Sequence, residues 1–336
     1  MSRHDHPSDH PHDHDHDHHG HHHGGVDPSV LSNERGLWAV KWSFLGLFVT
    51  AALQLLVVVL SHSVALLADT IHNFGDAATG VPLGIAFLFA RRPPNRRFHY
   101  GYGRVEDLAG LAVVLTILFS ACVAAYEAVH RLYHPHPVQH LGAVALASVI
   151  GFAGNELVAV FRIRVGQEIG SAALVADGYH ARTDGWTSLA VLLGAVGVYL
   201  GYPKADPLIG LIITVAILGI VWDSARTVLV RMLDGVEPEL LDQVKHAAEH
   251  VPGVLSTSDV RARWVGHRLR VEANVAVEPD LTVVEGHRIA KEVEHELRDH
   301  LKFVSGVIVH VDPVEESGES HHQVLEHVGP AGHAGP

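Results

Sequence analysis

The chain has 336 residues, 48% of them hydrophobic, a formal net charge of −13 and one cysteine. The lone Cys122 excludes an intramolecular disulfide and a cysteine-built zinc knuckle, and in its apolar run it reads as a small core or lipid-facing residue. The acidic excess lies mainly in the N-terminal tail and the C-terminal third, and no nucleic-acid partner is expected.

Residues 1–36 read as a disordered, His/Asp-rich tail. The first 25 positions are dominated by His, Asp and Gly, with an alternating run from Asp13 to His18, and cannot bury a core. Neutral imidazoles are good zinc, copper and nickel ligands, so the tail reads as a loose metal collector. The alternative is a solvated tail or a purification tag, and the interleaved aspartates weigh against a tag. No apolar core of a signal peptide is seen before the first hydrophobic run.

Six apolar runs then reach the ~20 residues needed to cross a ~30 Å hydrocarbon layer. They lie near Leu37–Leu60, Val64–Ala90, Asp107–Arg131, Leu141–Phe161, Ala173–Leu200 and Pro207–Val230. Pro82 removes a backbone donor and is expected to kink the second. One set of flanks carries Arg35, Lys41, Arg91, Arg92, Arg96, Arg97, Arg104, Arg162, Arg164, Arg226 and Arg231, while the opposite loops carry only Arg131 and Lys204. That asymmetry puts both termini in the cytoplasm.

The transmembrane domain is expected over 37–232 and a small α+β domain over 233–314. After a short linker, helical spacing marks Glu239–His250, ended by Pro252-Gly253. Two strands follow, Ser258–Val265 and Arg268–Val277, around a turn at Gly266. The second alternates cleanly through Leu269, Val271, Ala273, Val275 and Val277. A helix at Val283–Leu301 and a strand at Val307–Val311 complete an αββαβ order. So small a unit gains from pairing with a copy of itself, so a homodimer is expected. Residues 315–336 read as a disordered tail.

Two spans share one unusual string. Ala68-Asp-Thr-Ile-His-Asn-Phe-Gly-Asp76 and Ala176-Asp-Gly-Tyr-His-Ala-Arg-Thr-Asp184 both spell A-D-x-x-H-x-x-x-D. Each ionisable residue costs about 2.5–3.5 kcal/mol at the centre of a spanning helix, so these stripes must face inward. Positions i, i+3 and i+7 fall on one face, so Asp69, His72 and Asp76 share a stripe, as do Asp177, His180 and Asp184. In each, the His and the last Asp stand one turn apart and can chelate one ion. Brought together, His72, Asp76, His180 and Asp184 offer a four-ligand set suited to tetrahedral Zn²⁺, with Co²⁺ a near mimic. The bland alternative is a pair of polar patches holding helices together, which a Ser or Asn would serve without six ionisable groups. Asp69 and Asp177 stand one turn before each His, either as acceptors that orient it or in a helix-terminal or water-facing role. Asn73 reads as packing or hydrogen bonding beside His72.

With these motifs the chain resembles the cation diffusion facilitators, six-span dimeric exporters of divalent metal that exchange it for protons. The resemblance covers about Leu37 to Pro313. It rests on the paired His-x-x-x-Asp motifs, the Tyr100-Gly-Tyr-Gly-Arg104 loop and the closing His310-Val-Asp312-Pro313. It implies a transport site at His72, Asp76, His180 and Asp184 in the zinc-type arrangement. Relatives can hold a second metal in the loop after the second span. Here Phe98 and Tyr102 stand at the matching positions and His99 is one place off, so that site is not expected. For the soluble two-metal cluster of relatives, His287, His310 and Asp312 match, but Ser258 and Asn274 replace two histidines. A reduced site of one ion at a dimer interface is the alternative to none.

Other motifs fail. His295 and His300 are one residue too far apart for a zinc-protease helix, and Gly101-Tyr-Gly103 lacks the spacing of a phosphate loop. The reading is therefore a secondary transporter in a bacterial inner membrane, with Zn²⁺ and protons as the exchanged ions and no organic cofactor. Metal binding requires neutral imidazole, and protons compete for it near the His reference pKa of about 6.5. The alternatives are a Co²⁺, Fe²⁺ or Cd²⁺ exporter of the same kind, or a membrane metal sensor that does not transport. An intramembrane hydrolase would need an open coordination position, which a closed two-His, two-Asp set lacks.

Overall fold

The computed structural model describes residues 28–61, 80–133, 141–202 and 204–314. The two tails and residues 62–79, which carry the first A-D-x-x-H-x-x-x-D string, lie outside the described residues.

Among the described residues, six helices form the N-terminal part: α1 (Pro28–Ser61), α2 (Gly80–Ala90), α3 (Arg104–Tyr133), α4 (Leu141–Ile169), α5 (Ala172–Tyr199) and α6 (Ala205–Met232). Among the described residues, four of them (α1, α3, α4 and α6) are long and apolar enough to cross a membrane. The fifth expected span, α5, is long enough to cross but carries the charged string, and α2 is the described end of the second.

The bundle is inside-out relative to a water-soluble one. Phe48, Leu56, Phe119, Ile212, Val215 and Trp222 point outward, whereas Ala39, Ala51, Ala86, Ala121, Ala159 and Ala181 are buried. Small side chains let helices approach closely where the surrounding solvent is itself apolar. The α4–α5 hairpin shows it best. A Cβ on Gly178 would stand 2.7 Å from Ile163 Cγ1 and 3.0 Å from the Ile163 backbone nitrogen. Some of the buried polar side chains tie helices together, as where Gln54 donates to the Ala147 carbonyl at 3.2 Å.

Two helices outrun their apolar stretches. α1 begins at Pro28, ahead of the expected Leu37, because its first turns pack on other elements: Asn33 is buried and Ser32 meets His267. α4 continues past Phe161 to Ile169, because Arg162 is buried against α5 rather than lying on a flank.

The C-terminal domain has the expected order: α7 (Pro238–Glu249), β1 (Ser256–Val265), β2 (Arg268–Val277), α8 (Val283–His300) and β3 (Val304–Pro313). The sheet order is β1-β2-β3, the first pair antiparallel and the second parallel. The parallel pairing requires the crossover that α8 supplies. The α8 N-terminus is fixed by a capping box, Thr282 with Glu285. One sheet face meets both helices around Val244, Trp264, Leu269, Val271, Val275, Ile289, Val293 and Leu297, all buried.

Candidate metal transport site

Helix α5 starts at an N-cap, Ser171, whose hydroxyl accepts from Leu174 N at 3.1 Å. From there its inward face carries Asp177, His180 and Asp184. His180 is 1% exposed, and its Nδ1 stands 3.7 Å from Asp184 Oδ2. Two bonds of ~2.1 Å meeting at a tetrahedral angle span ~3.4 Å, so this pair is within a few tenths of an ångström of chelating spacing.

Two ion pairs bracket His180. On one side Arg162 of α4 lies 3.0 Å from Asp177 Oδ2, and both are essentially inaccessible. On the other, Arg182 is bidentate to Glu156 at 2.7 and 3.2 Å, partly buried. Asp177 thus turns its carboxylate to a guanidinium. Of the expected stripes, α5 presents Asp177, His180 and Asp184 as described, whereas Asp69, His72, Asn73 and Asp76 lie outside the described residues.

Arg182 and Glu156 are not among the residues that the sequence singles out, and Arg162 enters there only as a basic flank. No local signal finds them: Arg162 lies eight residues before Gly170 while Asp177 lies six after Ser171, and Glu156 and Arg182 lie fourteen before and eleven after, so the pairing is set by how α4 packs on α5. Hydropathy along a run marks where charge occurs and carries no information on what stands opposite, which is why Arg162 reads as a basic flank.

In the C-terminal domain, His310 Nε2 lies 2.8 Å from Asp312 Oδ1 on β3. Ser258, Asn274 and His310 are aligned across the three strands, so the two replaced positions adjoin His310. His287 is exposed on α8. Among the described residues no group of three or more His, Cys, Asp or Glu stands close enough to hold an ion, so one chain does not gather His287 with the His310–Asp312 pair. In the loop before α3, the Phe98 and Tyr102 rings pack at 4.8 Å, and the His99 ring meets the Arg96 carbonyl at 2.7 Å.

An inside-out helical bundle with a buried His–Asp pair, joined to a small α+β domain, defines a polytopic membrane protein with ionisable side chains on an inward helix face. The cation efflux transmembrane domain model matches residues 40–233, and the model of the cation efflux protein cytoplasmic domain matches residues 236–314. The chain belongs to the cation efflux family, membrane transporters of divalent metals. It is 53% identical over 290 residues to a "Probable cation efflux system protein" of Mycobacterium tuberculosis, covering 86% of this chain and 87% of that one. It is 26% identical over 275 residues to the manganese efflux system protein MneS of Bacillus subtilis, covering 80% and 92%. A cadmium form of the MamM C-terminal domain is 28% identical, covering 23% of this chain and 95% of its own, with a TM-score of 0.22.

Proposed function

We propose that this transporter exports Zn²⁺ from the cytoplasm in exchange for protons, using His180 and Asp184 of α5 with His72 and Asp76 as the four ligands. The observation that carries it is the buried His180–Asp184 pair at near-chelating spacing inside the bundle. A neutral imidazole binds the metal, and a proton arriving from the far side competes for the same nitrogen, so one site used alternately is sufficient for antiport. The imidazoles favour zinc, or Co²⁺, Fe²⁺ and Cd²⁺, over harder ions. The MneS likeness is the reason to keep manganese among the ions tested.

The arrangement we propose has a tail at 1–36, a transmembrane domain at 37–232, a dimerising cytoplasmic domain at 233–314 and a tail at 315–336. Both termini face the cytoplasm of a bacterial inner membrane. In the homodimer, His310 and Asp312 with a partner copy's His287 would hold one regulatory ion; a dimer that binds as many ions after H310A as before excludes this.

The test of transport is uptake into sealed vesicles containing the purified chain. H180A and D184A are each expected to lower Zn²⁺ flux by at least about 100-fold while leaving folding intact. Parental flux in either variant removes the ligand assignment. Zinc binding without flux in the parent protein would make it a sensor.

A further inference from the structure

The turn between β1 and β2 is seated in the end of the helical bundle. His267 is 3% exposed, and Glu106 of α3, which it meets, is 1% exposed. His267 Nδ1 lies 2.6 Å from Glu106 Oε2, and Nε2 lies 2.9 Å from Ser32 Oγ on α1. The ring is thus held at both nitrogens. Gly266 donates its backbone N–H to Asp107 Oδ2 at 3.3 Å. Its φ is 63°, and a Cβ there would stand 2.7 Å from the Gly103 carbonyl oxygen, so the approach requires glycine.

The contacts continue into the transport helix. The other Glu106 oxygen accepts from the Ser171 hydroxyl at 2.5 Å, and that hydroxyl is the N-cap of α5. The same turn is held twice more. Arg231 donates to the Gly170 carbonyl at 2.7 Å while lying 4.1 Å above the Trp264 ring, and Phe303 packs against Gly170. Three side chains of the C-terminal domain (Trp264, His267 and Phe303) therefore bear, directly or through one residue, on the turn from which α5 starts.

Adhesion alone does not call for this chemistry. A buried polar contact adds little stability over an apolar contact of the same shape, so the polar chain is better understood as directional. Every acceptor and donor on it has a partner: both oxygens of Glu106, both nitrogens of His267 and the hydroxyl of Ser171. Such a chain transmits position, because each link fails if its neighbour moves by about an ångström.

We propose that His267 is a positioning residue for transport. Through Glu106 and Ser171 it carries the position of the C-terminal domain to the first turn of α5, and so to His180, about 14 Å further along the same helix. The inference rests on α5 carrying the transport site. Cutting the chain leaves the metal ligands in place but frees the start of the helix that must rock.

The test uses the full chain in sealed vesicles and E106Q/H267A, which removes the tie without stranding a buried charge. The maximal Zn²⁺ rate is expected to fall about tenfold, with KM and bound zinc per chain within about twofold of the parent. Ser171→Ala cuts the last link together with the N-cap of α5 and serves if the double variant does not fold; it is expected to show the same split. A second readout does not involve transport: backbone hydrogen exchange at Leu174–Tyr179 is expected to rise at least about tenfold in E106Q/H267A, with α6 unchanged. A maximal rate within about twofold of the parent, or a KM that moves in step with the rate, overturns the proposal, as does unchanged exchange at the start of α5. Should H180A itself transport normally, the ligand assignment fails, and the exchange measurement still decides whether the tie governs α5.

Discussion

Arg162→Met removes the positive member of a pair separated by 3.0 Å in which both side chains are at most 1% exposed. At an effective dielectric constant near 20, two unit charges at that distance attract by about 5 kcal/mol. Losing the attraction leaves Asp177 buried beside apolar helix surface, and stranding one member of a buried pair costs about 3–5 kcal/mol. For a domain of this size each kcal/mol lowers Tm by about 2–4 °C, so R162M is expected to melt about 6–20 °C below the parent. Asparagine has the shape of aspartate without its charge. The double variant R162M/D177N should therefore recover at least about 2 kcal/mol relative to R162M, a coupling that independent sites do not show. The assay is thermal unfolding of the detergent-solubilised full chain, followed by loss of the monodisperse species, with Zn²⁺ flux measured on the same preparations. If R162M melts within about 2 °C of the parent, or the double variant melts no higher than R162M, the pair is not an energetic unit and the argument fails.

Gly178→Val forces two branched methyls against Ile163, and overpacking of this kind costs about 1–3 kcal/mol; a lower Tm together with reduced Zn²⁺ flux is expected, and parental values for both would show that α4 and α5 separate easily. Glu285 is held below the usual carboxylate value, first by the Thr282 backbone N–H and then by the Thr282 hydroxyl. Because its folded pKa is depressed, the stabilisation is present above the ordinary carboxylate pKa of about 4.3 and is lost as pH falls through the folded value. Hydrogen exchange in the first turn of α8 should therefore accelerate on acidification in the parent, and E285Q should flatten that dependence; an identical profile in both would remove the capping carboxylate from the account. His72→Asp replaces a borderline nitrogen with a hard oxygen in a site already rich in carboxylates, so Mn²⁺ uptake should rise relative to Zn²⁺ and the pH profile should move upward. An unchanged ion ranking and pH profile would mean that His72 does not touch the metal, and Asp69 would be the first replacement to test.

What the sequence determined by itself is whatever repeats over a few residues. Alternation at Leu269, Val271, Ala273, Val275 and Val277 is a strand with one buried face, and those positions are buried in β2. The apolar runs marked α3 and α6 to within a few residues, and the i, i+3, i+7 spacing put Asp177, His180 and Asp184 on one inward face. Ends were less legible. β3 runs from Val304 to Pro313 rather than Val307–Val311, because its length is set by its pairing with β2 along Leu269–Val277. Partners were not legible at all. Ser32 and His267 are 235 positions apart and Glu106 and His267 are 161, and only packing brings them within hydrogen-bond reach. Asp177 shows the limit most sharply: its face was fixed by helical period, but its partner, Arg162, was decided by how α4 folds back on α5. Local periodicity constrains direction, since each residue carries its own rotation about the helix axis. It does not constrain which of many complementary side chains stands opposite, because that depends on the register of two helices across a turn, and tertiary packing alone sets that register.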